Sequence, residues 1–226
     1  MKKSIIHNRF GLLAIIASLL LMVPSKSIFA VPITFNFAGT VNSVGSSLGG
    51  TFSAGQTLNG SYIFDSAVGA RSGSDSSFAV FDALQSLNFS IGGYSASSLS
   101  SSEIQVDNAP GAPNDRYGVI SRASQGLNGA MVGGFALDGF GFRLDDSTNS
   151  VFSDALILPT SLSLSSFDST AFFLFFVDTS GALQLVDGTI TGLSTVSRVP
   201  EPSSLALLLL GLAGIQRFSC RPRLHG

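Results

Sequence analysis

The chain has 226 residues, of which 45% are hydrophobic and only 12% are charged. The apolar excess lies at the two ends, in residues 10–23 and 203–215, and the segment between them is rich in Ser, Gly, Asp and Phe. This body, residues 31–198, has five arginines against twelve aspartates and one glutamate, which gives it a net charge of −8. It contains no His, Cys, Lys or Trp.

These missing residue types exclude most catalytic centres from the body. A Ser-His-Asp or Cys-His site, a lysine Schiff base and a His/Cys zinc site all need side chains that it lacks. Residues 45–49 match the G-x-S-x-G pattern of hydrolases, but no histidine can accept the serine proton, so they are interpreted as a loop. An acidic surface repels nucleic acid, and no nucleic-acid partner is expected. We therefore expect a protein that is not an enzyme.

The first thirty residues have the parts of a secretory signal peptide. Two lysines and an arginine precede the apolar run 10–23, and Ala30 supplies the small residue for a cut before Val31. The run is shorter than the about 20 residues of a membrane span, which favours cleavage over an uncleaved anchor. The general secretory machinery is therefore an expected partner.

The body is predicted to be all-β, as one jelly-roll-like β-sandwich. Alternating or continuous apolar patterns predict strands at 33–37, 51–64 (two strands around the Asn59-Gly60 turn pair), 87–91, 117–121, 131–137, 140–144, 172–177 and 183–190. The continuous run 172–177 predicts a strand buried on both faces, joined to 183–190 as a hairpin. Residues 78–88 fit either a strand or a short helix. The abundant Phe side chains are predicted to fill the core.

Two loops of the body concentrate oxygen-bearing side chains. Asp107 and Asn108 begin the first loop, Asn114 and Asp115 end it, and residues 145–149 form the second. Calcium takes six to eight oxygen ligands, so either loop could contribute to a calcium site. The same residue types also favour solvated turns, and neither loop has EF-hand spacing. Both interpretations stay open, and calcium is the only cofactor considered.

The tail, residues 199–226, has three parts in a fixed order. The first part is a helix-incompatible segment made of Val199, Pro200, Glu201 and Pro202. Residues 203–215 follow as a predicted transmembrane helix of about 20 Å, which is short against a hydrocarbon core of about 30 Å. The basic end, residues 216–226, carries Arg217, Arg221 and Arg223. So short a helix suits a transient sorting signal better than a permanent anchor.

In these residues the chain resembles PEP-CTERM proteins, a bacterial family whose tail is also catalogued as the ice-binding protein C-terminal domain. The resemblance rests on Pro200-Glu201-Pro202, the apolar segment, the terminal arginines and the leader. It implies recognition by exosortase, a membrane-embedded protease-transpeptidase, in a Gram-negative bacterium that makes exopolysaccharide, and it does not imply ice binding. We therefore expect a body held briefly in the periplasm by the membrane-anchored tail, and afterwards in the cell envelope or extracellular matrix.

Three functions remain open for the body. The first is a structural or adhesive role, which the missing catalytic residue types favour. The second is a carbohydrate-binding module that acts on exopolysaccharide, and the third is a glycan hydrolase or lyase that uses two carboxylates. No carboxylate pair stands out in the sequence, and the lack of Trp removes the usual sugar-stacking side chain. Tyr62, Tyr94 and Tyr117 could replace it, but structural roles are favoured for all three.

Overall fold

The computed structural model describes residues 32–72, 75–99, 102–108 and 114–197. These ranges contain eleven strands and three short 3₁₀ turns. The strands are β1 (Pro32–Val44), β2 (Thr57–Asp65), β3 (Phe78–Phe81), β4 (Leu84–Ile91), β5 (Tyr94–Ser98), β6 (Glu103–Asp107), β7 (Asp115–Arg122), β8 (Asn128–Gly129), β9 (Ala136–Asp146), β10 (Ser169–Val177) and β11 (Leu183–Ser197). The all-β prediction is therefore confirmed.

All eleven strands belong to one antiparallel sheet, which curls over its own core. Their order is β3-β6-β7-β9-β10-β11-β1-β2-β4-β5-β8. Phe89 of β4 stacks on Phe140 of β9 with ring centroids 4.3 Å apart, although four strands lie between them in the sheet. The jelly-roll sandwich is not confirmed, because the two sides of the core come from one continuous sheet.

Aromatic side chains fill the inside of the curled sheet. Phe35 stacks on Tyr62 at 5.3 Å, and Phe37 packs against Phe142 at 5.4 Å. The hydroxyls of Tyr62 and Tyr117 lie 3.0 Å apart and join β2 to β7. Each buried ring contributes roughly 1.5–3 kcal/mol relative to an exposed one. The prediction that Phe fills the core is confirmed, and all three tyrosines are buried.

The hairpin prediction is confirmed, but the prediction that its first strand is buried on both faces is wrong. β10 and β11 pair in antiparallel register around the turn at 178–182. Phe172, Leu174 and Phe176 face the core, whereas Phe173 is half-buried and Phe175 is 36% exposed. β10 therefore alternates like any strand that has one solvent-facing side.

Two further expectations from the sequence are corrected, and one alternative that the sequence left open is decided. Residues 51–56 form turns, and the Asn59-Gly60 pair lies inside β2, where the ring of Phe37 occupies the space that a side chain at Gly60 would need. Residues 131–135 form a tight turn rather than a strand, with two glycines at positive φ. Residues 78–88 hold β3 and the beginning of β4 rather than a helix.

Candidate functional site

The outer face of the sheet carries a groove with a volume of about 470 Å³ across β7, β9 and β10. Its floor includes Gly118 of β7 together with Gly139 and Gly141 of β9. Alternation along the two strands places these glycines outward, since Tyr117 and Val119 of β7 and Phe140 and Phe142 of β9 face the core. Because the glycines have no side chains, the floor is backbone, which a ligand can approach closely.

One wall of the groove is apolar and belongs to β10. Phe173 and Phe175 lie there with ring centroids 6.3 Å apart and ring planes inclined by 25°. In the pairing register Phe173 is opposite Gly141, and Phe175 is opposite Gly139. Leu183, which is 57% exposed, extends the wall onto β11. The wall therefore presents apolar surface to solvent.

Basic side chains also line the groove. Arg116, Arg122 and Arg143 line it, and they are three of the four arginines in the described ranges. Nε of Arg116 donates a hydrogen bond to Oδ1 of Asp145 at 2.6 Å, and Nε of Arg143 lies 3.2 Å from Oδ2 of the same carboxylate. Asp145, which is 3% exposed, thus holds two guanidinium groups at once.

The other charged side chains in and beside the groove differ in their contacts and exposure. The guanidinium of Arg122 makes no ion pair or hydrogen bond within the described ranges. The guanidinium carbon of Arg143 lies 5.5 Å from the centroid of the Phe173 ring, in cation–π distance. Asp138 is exposed at the rim. Burial raises the pKa of Asp107, although a hydrogen bond from Gln105 and the charge of Arg116 partly oppose this shift.

The structure brings the two oxygen-rich loops together at one end of β7 and β9. Asp115 lies opposite Asp146 in the register of these strands. Oδ2 of Asp115 accepts hydrogen bonds from the backbone N–H groups of Val151 at 3.0 Å and Phe152 at 2.8 Å. Oδ1 of Asp115 is buried and has no hydrogen-bond partner in the described ranges. This carboxylate therefore fastens the loop after β9 to the start of β7.

Most other oxygen ligands of the loops have protein partners. Hydrogen bonds to Asp146, first from the Thr148 hydroxyl and then from the Ser150 backbone, hold its pKa well below the usual range. Asp107 accepts from Gln105, and the side-chain amide of Asn108 donates to the Ser76 carbonyl at 3.2 Å. No group of three or more His, Cys, Asp or Glu side chains in the described part of the chain is arranged for a metal ion.

The calcium interpretation stays a prediction, because residues 109–113 of the first loop lie outside the described ranges. Of the four proposed ligands, Asn114 begins the described chain again just before β7, next to Asp115. The serine motif at 45–49 lies in a 3₁₀ turn between β1 and β2, as the loop interpretation predicted.

The sorting elements lie outside the described residues. They are the cut between Ala30 and Val31, the segment Val199-Pro200-Glu201-Pro202, the apolar run 203–215 and the arginines after it. Among the helices of the described part, none is long and apolar enough to cross a membrane.

Comparison with known families assigns the carboxyl end of the chain. Residues 198–223 match the PEP-CTERM protein-sorting motif. No curated protein and no solved structure matches the chain significantly. The match spans Pro200-Glu201-Pro202, the apolar segment and all three terminal arginines, and this motif implies exosortase-dependent sorting and export to the cell envelope or extracellular space. The chain thus carries a PEP-CTERM protein-sorting motif at its carboxyl end.

Proposed function

We propose that this chain is a non-enzymatic structural or adhesive protein of the cell envelope or extracellular matrix in a Gram-negative, exopolysaccharide-producing bacterium. The general secretory machinery exports it, and exosortase then processes its tail. The observation that carries the proposal is the sorting motif at 198–223, attached to a body without His, Cys or Lys.

The order of elements in the tail explains how it acts as a signal. Pro200 and Pro202 keep the segment around Glu201 out of a helix, so it offers extended backbone of the kind that a protease binds. The apolar residues 203–215 hold this segment at the membrane surface. The arginines behind them oppose transfer of the carboxyl end, according to the positive-inside rule. A polar segment, an apolar run and subsequent removal also characterise the signals for GPI anchors.

The body has properties that suit a matrix protein. Its excess of carboxylates keeps it soluble at high local concentration. Because it has no cysteine, its folding does not depend on disulfide formation after export. Its single curled sheet supplies an outer surface for contact with other matrix components.

Changing Pro200-Glu201-Pro202 to three alanines tests the proposal. The variant should be exported normally but not processed, because alanines extend the helix into the segment that the protease must bind. A longer, membrane-bound form should accumulate in the native host. Intact-mass measurement of the recovered protein distinguishes the two forms.

The matched control replaces Ser203 and Ser204 with alanine, which changes two polar positions directly beside the motif and leaves the motif itself intact. We expect this control to mature like the wild type. A mature wild-type protein that still ends at Gly226 would mean that the tail is a permanent anchor and would refute processing.

A further inference from the structure

We propose that the groove across β7, β9 and β10 binds a segment of a carboxylated polysaccharide. The inference goes beyond the sorting and structural role, and it rests on that role only for placing the body among polysaccharides outside the cell.

The charge distribution around the groove favours an anionic ligand. The body carries a net charge of −8, yet three of its four described arginines lie along this one groove. Guanidinium groups bind carboxylates through paired N–H···O bonds with a specific planar geometry. The carboxylates of Asp107, Asp138 and Asp145 lie nearby and offset the positive charge of the three arginines. The ligand is therefore bound by directed hydrogen bonds and not by a large positive electrostatic potential.

The guanidinium groups are arranged so that donors remain for a ligand. Asp145 engages both Arg116 and Arg143 through their Nε atoms, and the terminal nitrogens of Arg143 have no hydrogen bond within the described ranges. Arg122 is exposed and unpaired there. Asp145 is therefore a positioning residue. Because it already holds the side chains of Arg116 and Arg143 in place, they lose less conformational entropy when a ligand binds.

The shape and polarity of the groove fit a sugar ring better than an acidic peptide. A pyranose ring has a flat C–H face and a polar edge, and ligand grooves typically pair an aromatic wall with a few oriented polar groups. Phe173 and Phe175 supply the wall, and the glycine floor lets the ring approach the backbone closely. An acidic peptide would use the arginines and leave the rings without a flat partner.

Binding by the full chain, purified in detergent, tests the proposal with three probes. The probes are oligogalacturonate as the acidic glycan, dextran as the neutral glycan and polyglutamate as the acidic peptide. We expect calorimetry to detect oligogalacturonate alone, with an affinity that falls as NaCl rises from about 0.1 M to about 1 M, because salt screens the partly exposed arginines.

Two pairs of variants separate the groove from general charge and apolarity. Arg122→Gln should weaken oligogalacturonate binding about tenfold or more, since it removes a charged hydrogen-bond donor. Arg71→Gln removes the same charge from the pair with Asp82 and Glu103, none of which lines the groove, and should change affinity less than about twofold. Phe175→Ala should lower the affinity for oligogalacturonate about fivefold. Phe78→Ala removes a comparably exposed ring on β3 and should leave this affinity unchanged.

A third variant fills the groove. The nearest atom to a Cβ built on Gly118 is 3.7 Å away, so Gly118→Leu should fold normally and abolish binding by occupying the floor. Circular dichroism checks that its fold is intact.

Several outcomes would overturn the site. They are equal binding of dextran or polyglutamate, equal losses in Arg122→Gln and Arg71→Gln, no binding by the folded wild type, or a groove variant that changes the sedimentation coefficient and so shows a second copy in the groove. None of them affects tail processing, which the intact mass reports separately.

Discussion

The hydroxyls of Tyr62 and Tyr117 form a hydrogen bond inside a core that is otherwise almost entirely apolar. Burial is the main cause that raises the pKa of both side chains, so both are neutral at physiological pH. Tyr94 makes an instructive contrast, because burial raises its pKa to about 12 while its hydroxyl has no partner in the described ranges. The hydroxyls of Tyr62 and Tyr117 thus satisfy each other's hydrogen bonding across the core, whereas the Tyr94 hydroxyl has no hydrogen bond in the described ranges.

The Tyr62→Phe variant should lower the free energy of unfolding by about 1–3 kcal/mol, because it leaves the Tyr117 hydroxyl buried without a partner. The double variant Tyr62→Phe/Tyr117→Phe should cost clearly less than the sum of the two single changes. Urea unfolding followed by circular dichroism measures all three values.

Tyr94→Phe is the control for this pair. It removes a hydroxyl that makes no hydrogen bond in the described structure, and its effect should stay within about 0.5 kcal/mol. Strict additivity of the Tyr62 and Tyr117 changes would show that the hydrogen bond does not contribute to stability.

At the scale of single elements, the sequence predicts strands well where apolar and polar residues alternate. The segment 33–37 lies in β1, and 87–91 lies in β4. The run 172–177 misleads because six apolar residues in succession conceal the alternation of β10. The Asn59-Gly60 turn signal misleads because packing of Phe37 over Gly60 overrides the local preference.

The part of the groove that β9 contributes could be predicted from the sequence. Along β9, Gly139, Gly141 and Arg143 alternate with core-facing residues, which indicates an outer face with small and basic side chains. The contribution of Arg116 and Arg122 from β7 depends on the pairing register of β7 with β9. Apolar alternation within each strand predicts which face is buried, but which residue of β7 lies opposite which residue of β9 also depends on the chain that connects the two strands.

The close packing between β1 and β11 can be tested at Gly188 of β11. A Cβ on Gly188 would overlap both the Thr40 carbonyl oxygen and the Phe172 ring. Gly188→Ala should therefore destabilise the fold by about 3 kcal/mol, the upper part of the range for overpacking, because backbone rather than a flexible side chain must move.

Gly50→Ala serves as its control, since nothing lies within 4 Å of a Cβ there and its φ is not positive. Its melting temperature should equal that of the wild type, whereas the Gly188 variant should melt lower in the same calorimetric scan. Equal melting of the two variants would contradict the close packing of β1, β10 and β11 around Phe172.

At the scale of the whole molecule, the signal that sorts the protein and the groove proposed to bind a ligand lie in different parts of the chain. The sorting signal is contiguous in sequence, so Pro200-Glu201-Pro202 and the residues after it could be identified without a structure, and the family match confirms them. The body shows no significant match to curated proteins or solved structures, and its candidate site required the folded arrangement of β7, β9 and β10.

Export should depend on the apolar run of the leader. Replacing Leu19, Leu20 and Leu21 by aspartate should leave the precursor in the cytoplasm, because charged side chains oppose insertion into the membrane. Replacing them by isoleucine keeps the run apolar and should preserve export. Cell fractionation with immunoblotting measures both, and secretion of the aspartate variant would refute the signal-peptide interpretation.

The position of β1 beside β11 makes folding depend on the order in which the chain crosses the membrane. Thr34 pairs with Val196, so the middle of the sheet joins the two ends of the described chain. A chain that emerges amino end first exposes β1 long before β11 is available, and the intervening length makes this pairing entropically expensive and slow. The sheet can therefore close only after its last strand has been translocated. Until then the strands on the β10 side and those on the β1 side lack the strand that joins them into one sheet.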